Sequence, residues 1–256
     1  MLIVISPAKS LDFDTPPVTT SYTMPEMLDE SVKLAERLKK MSPRQISKLM
    51  NISKDLGELN FQRYQNWQLP FTPENAKQAA LAFDGDVYQG LQAESLSEEK
   101  LVLAQTRVRI LSGLYGVLKP LDLIQPYRLE MGIRLKYYRS KDLYEFWNPI
   151  LTKKLKEALS ESGSNVLVNL ASKEYFKSVD TKKLKAEVIT PDFKDQKNGE
   201  YIMISFFAKK ARGLMTRFIL ENNITEVNDL QAFDSEGYHF NPRLSKPNNP
   251  VFTREN

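Results

Sequence analysis

Three short apolar runs limit the folds open to this chain: residues 2–5 (Leu-Ile-Val-Ile), 108–111 (Val-Arg-Ile-Leu) and 165–170 (Asn-Val-Leu-Val-Asn-Leu). Each is too short for a helix and lacks strict apolar–polar alternation, the pattern of strands buried inside a sheet. The segments between them carry helix signals. Residues 26–41 place Met27, Val32, Leu34, Ala35 and Leu38 on one side. Ser42-Pro43 and Thr72-Pro73 pair a cap residue with proline at the first helical position, opening helices to about 50 and 83. Ser53 and Ser97 cap helices running towards Trp67 and Arg107, and residues 143–160 form an amphipathic helix with Pro149 near its start. Asn198-Gly199, between the runs 186–193 and 201–207, is the strongest local hairpin signal in the chain. A helix is expected over 208–222, and short strands in the tail 237–252. The reading is α/β (mixed α+β): one domain, 1–256, with a central mixed sheet and helices around it. A helical segment covers about 26–107.

Composition excludes whole classes of chemistry. The chain has 256 residues, no cysteine and one histidine, His239. Thiolate zinc sites, Cys-ligated iron–sulfur clusters, thiol nucleophiles and multi-histidine metal centres are therefore ruled out. No P-loop, G-x-G-x-x-G, H-E-x-x-H or G-x-S-x-G motif occurs, so no nucleotide cofactor or hydrolase is labelled by signature. No cofactor and no metal site are expected, and His239 is given no role. The opening apolar stretch is too short for a signal-peptide core and no run reaches the length of a membrane span, so a cytoplasmic location without membrane contact is expected.

The formal charge is only +4, but the basic residues cluster. Arg107, Arg109, Lys119 and Arg128 fall in one stretch, Lys173 opens a second, and Lys209, Lys210 and Arg212 form a third. Such asymmetry favours phosphate partners. Candidate functional residues follow the strand ends. Lys9, in Ser6-Pro7-Ala8-Lys9-Ser10, suits a phosphate or acts as an amine nucleophile if desolvated. Ser172 caps a helix after the 165–170 strand, beside Lys173. Asp84-Gly85-Asp86 reads as a turn, with cation binding as the lesser alternative. Between 107 and 130, Gly113 and Gly116 suit close backbone approach to a phosphate, while Tyr127 and Arg128 supply a stacking face and donors. With the 2–5 and 165–170 strands as neighbours, Lys9 and Ser172 would meet in one crevice.

The stretches SPAKSLDF, FDGDVYQGLQAE, RILSGLYGVLKPLDLIQPYRLEMG, LVNLASKEYFKSV and FFAKKARGLMTRFI, spread over essentially the whole chain, resemble the YaaA family of bacterial peroxide-stress proteins. The resemblance implies a family-specific fold, DNA binding through a positively charged cleft with a helix-hairpin-helix element, and a part in limiting damage by unincorporated iron. The favoured place for the hairpin is about Met41–Gln45, with Arg44 and Lys48 close by; Ser112-Gly113-Leu114-Tyr115-Gly116, which has the glycines, is the alternative. The leading expectation is a DNA-binding protein contacting the backbone through Lys9, Arg44, Lys48, Arg107, Arg109, Lys119, Arg128, Lys173, Lys209, Lys210 and Arg212. The alternative is an enzyme acting on nucleic acid or nucleosides, N-glycosylase or lyase-like, with Lys9, Asp12, Tyr127, Arg128 and Ser172 in a strand-end pocket. Direct iron binding through Asp84 and Asp86 is the third reading.

Overall fold

The computed structural model describes residues 1–255. Along the chain, strand β1 (Leu2–Ile5) is followed by helices α1 (Leu28–Lys39), α2 (Pro43–Met50), α3 (Lys54–Asn66), α4 (Asp86–Leu91) and α5 (Glu98–Arg107). Strands β2 (Val108–Ser112) and β3 (Gly116–Leu118) precede the long helix α6 (Leu143–Glu161). Then come β4 (Val166–Leu170), α7 (Lys173–Phe176), β5 (Glu187–Ile189), β6 (Asp192–Lys197), β7 (Glu200–Ile202), α8 (Ser205–Glu221), β8 (His239–Phe240) and β9 (Val251–Arg254).

The three apolar runs are neighbours in one sheet of order β3-β2-β1-β4-β5. β1 pairs parallel with β2 (Ile3 opposite Val108) and with β4 (Ile3 opposite Val168), and all four residues of β1 are fully buried. The chain leaves β1 for β2 on one side and later crosses to β4 on the other. The strand order therefore reverses between β1 and β4, and the crevice at their carboxyl ends is where open α/β sheets bind ligands. A second sheet, β7-β6-β9-β8, is built from the Asn198-Gly199 hairpin and the tail strands. Asn198 (φ 55°) and Gly199 (φ 83°) both take the left-handed conformation that such a two-residue turn needs.

Local signals and structure part in three places. Residues 72–83 form no single helix. Lys77–Gln78 pairs with Leu123–Ile124, Ala79–Ala82 makes one helical turn, and Phe83–Asp84 pairs with Ser10–Leu11. Lys77 and Gln78 are buried, and their side chains hold the preceding loop. Lys77 Nζ donates to the carbonyls of Asp12 and Thr15, and Gln78 Nε2 to those of Thr19 and Ser21. Long-range pairing overrides the cap-and-proline signal here. Second, α8 starts at Ser205, so Phe206 and Phe207 are helical rather than part of the hairpin strand. Third, Ser42 does cap α2 through a capping box with Gln45, yet α2 packs chiefly on α3, across the turn at 51–53. The helix pair expected about Met41–Gln45 is not the pair that packs.

Helices α4 and α8 cross backbone against backbone. A Cβ on Gly213 would lie 1.8 Å from the Val87 carbonyl oxygen, and one on Gly90 2.1 Å from that of Lys210. Only glycine permits this approach. The crossing sets the amino-terminal part of α8, with Lys209 and Arg212, beside the carboxyl ends of β1 and β4.

Candidate functional site

The crevice between β1 and β4 opens into a cavity of about 410 Å³. Ser6 and Ser172, one after each strand, are tied together: the Ser172 N–H donates to Ser6 Oγ at 2.8 Å. The Tyr88 hydroxyl donates to the Ser6 carbonyl at 3.1 Å. Tyr88 and Tyr175 wall the cavity, and burial pushes both phenols well above their ordinary pKa, so they stay protonated. Lys9 and Ser172 both line this space, as the strand adjacency requires.

Three cationic and four acidic side chains face the cavity, and most of them are satisfied. Lys9 Nζ lies 3.3 Å from Glu130 Oε2, while Arg128 lies 2.9 Å from Oε1 of the same carboxylate. Lys209 lies 3.5 Å from Asp86, and Glu174 accepts the Gly132 N–H at 2.9 Å. Asp84 and Arg212 remain; like Glu174, they have no ion pair among the described residues. Arg212 is half-buried. Desolvation disfavours its charge, and the nearby Asp192 carboxylate favours it.

Arg212 also lines a second, larger cavity of about 650 Å³, at the carboxyl ends of β4 and β5. This one is strongly basic. Lys173, Lys177, Lys194, Arg212 and Lys246 face a single carboxylate, Asp192. None of the five makes an ion pair among the described residues, and Lys177 Nζ sits 4.8 Å above the Tyr144 ring. Exposed Met203 and Leu244 complete the rim. Unpaired cations around a concavity raise the local positive potential and attract phosphates.

Other residues singled out from sequence lie elsewhere. Tyr127 is buried 5.1 Å from the Tyr115 ring and shares a 2.7 Å hydrogen bond with Ser112, so no base can stack on it. Arg109 is buried, donating to the carbonyls of Gln105 and Val108. Lys119 lies 2.6 Å from Glu26, and Arg107 donates to the Ile224 carbonyl. Gly113 and Gly116 serve packing rather than phosphate approach. A Cβ on them would strike the Leu129 carbonyl at 2.2 Å and the Trp147 ring at 2.7 Å. Asp12 lines a different cavity, and the N–H groups of Thr15 and Asp14 with Lys77 lower its pKa to about 2. Lys210 lies 2.5 Å from Glu236, so carboxylates already offset two cations of the Lys209–Lys210–Arg212 cluster. Asp86 is likewise held by Lys209, and among the described residues no three His, Cys, Asp or Glu side chains are grouped so that they could hold a metal ion. Arg44 and Lys48 are exposed on α2. Lys194 and Lys246 escaped the sequence reading because they sit singly, on β6 and in the tail. Only the fold sets them beside Lys173.

Sheet and cavities together define an α/β protein with an anion-suited cleft at the carboxyl ends of its parallel strands. The chain belongs to the family described as peroxide stress protein YaaA, whose model matches residues 1–244. Membership supports a role in the peroxide stress response. No helix among the described residues is long and apolar enough to cross a membrane.

Proposed function

We propose that the protein acts in the peroxide response by binding DNA through its phosphate backbone, in the basic cavity at the ends of β4 and β5. The observation that carries this reading is the set of five unpaired cations facing one carboxylate. Contacts of this kind neutralise phosphates with little regard to sequence and release condensed counterions. Ferrous iron is one such counterion. Displacing it from the backbone keeps peroxide-driven radical formation away from DNA, which links the binding to protection from unincorporated iron without an iron site in the protein.

Five neutralised phosphates correspond to a slope of about −4.5 in log K against log salt on duplex DNA. Titrating a labelled duplex across a salt series measures that slope. Replacing Lys173, Lys177, Lys194 and Lys246 together by Ala should flatten it and weaken binding to all sequences alike. Replacing Arg44 and Lys48 serves as a control for exposed cations outside the cavity. Absence of binding at low salt, or an unchanged slope in the fourfold variant, would refute the reading.

A further inference from the structure

The two cavities at the strand ends differ in chemistry and meet at one side chain. Arg212 lines both, with its guanidinium unpaired among the described residues. On one side lies the basic cavity. On the other, the strand-end cavity holds two carboxylates without an ion pair among the described residues, Glu174, which the Gly132 N–H engages, and Asp84, which lies between walls that include Pro7, Ala8 and Val87. A ligand complementary to Arg212 and Asp84 carries an anion at one end and hydrogen-bond donors at the other, joined by a body with apolar faces. A nucleotide has this form: phosphate, sugar hydroxyl or base amine, and the faces of a base. The volume of about 410 Å³ falls in the range of small-molecule sites, and a duplex cannot enter such a space.

We propose that the strand-end cavity receives a single unpaired nucleotide of a bound DNA strand. Arg212 holds the phosphate where the strand turns from the basic cavity, and Asp84 accepts hydrogen bonds from the inserted nucleotide. The proposal rests on DNA binding at the basic cavity and adds to it a preference for DNA that offers an unpaired nucleotide. A paired nucleotide must first be unstacked and unpaired, whereas a bulged one is spared most of that cost.

The test uses a duplex with a single-nucleotide bulge containing 2-aminopurine, set against the same duplex fully paired. The full-length protein should bind the bulged form more tightly by about tenfold, the saving in unpairing expressed as affinity. The 2-aminopurine fluorescence should change on binding. Ala8→Phe, which fills the cavity, and the milder Asp84→Asn should each lose the preference and the fluorescence change, with the affinity and salt slope on paired duplex retained. Thermal melts establish that both variants fold, and Asp84→Asn decides the matter if Ala8→Phe does not. Equal affinity for both duplexes, or a preference unaffected by Asp84→Asn, overturns the proposal while leaving backbone binding intact. Failure to bind any DNA at low salt overturns the backbone reading as well.

Discussion

Replacing Gly213 by Ala tests how the site is positioned. The added methyl would lie 1.8 Å from the Val87 carbonyl oxygen, 2.7 Å from the Leu91 nitrogen and 2.9 Å from the Val87 carbonyl carbon. All three are backbone atoms, so no side chain can swing aside. Real Cβ contacts do not fall below 3.0 Å, and α4 and α8 must therefore separate by at least about 1.2 Å. Opening a packed interface by about 1 Å forfeits up to half of each contact's attraction. Overpacking typically costs about 1–3 kcal/mol, and a backbone obstacle puts this case at the upper end. Alanine's better helix propensity returns about 1 kcal/mol, because Gly213 lies inside α8. The net loss is then about 2 kcal/mol, or roughly 4–8 °C in Tm for a chain of this size. Chemical and thermal unfolding of Gly213→Ala, Gly90→Ala and the double variant measure it. The double variant should cost less than the sum, because either substitution alone already parts the helices. A Gly213→Ala protein as stable as the wild type, or one stabilised by about the helix-propensity gain, would show that the helix crossing does not constrain position 213.

Asp122 supplies a pH test. Burial is the main cause raising its carboxyl to about 6, against hydrogen bonds from Thr23 and the Lys119 N–H. The native state therefore keeps a proton that the unfolded chain loses near pH 4, and stability should fall as pH rises from about 4 to 6, by about 2–3 kcal/mol. Urea unfolding across that window should show the slope, and Asp122→Asn should remove it. Tyr127→Phe deletes the hydrogen bond to Ser112 in a buried setting and should cost about 1–2 kcal/mol in stability with no change in DNA affinity. A loss of affinity in the folded variant would return Tyr127 to the binding surface. Lys210→Ala should leave the salt slope of DNA binding unchanged, since Glu236 already pairs that amine. A slope reduced by about one would contradict this.

Several elements were legible because their causes are local. The apolar runs at β1, β2 and β4 cannot be exposed. Ser42, Ser53, Ser97 and Ser172 each accept a backbone N–H at the start of the helix they cap. Asn198-Gly199 supplies the left-handed pair its hairpin needs. Even the meeting of Lys9 and Ser172 follows once β1 and β4 are neighbours. Partner choice was not legible. Along the chain Lys209, Lys210 and Arg212 look alike, yet Asp86 takes the first and Glu236 the second, leaving the third between two cavities. Tyr127, with the composition of a stacking platform around it, is core. The 72–83 segment had the start of a helix and gave it up to pair with strands from both directions. Backbone conformation answers to residues a few positions away, so sequence determines it well. Whether a charge is satisfied or a ring is buried depends on residues from a dozen to more than a hundred positions distant, and only the packed tertiary structure decides which of them arrive.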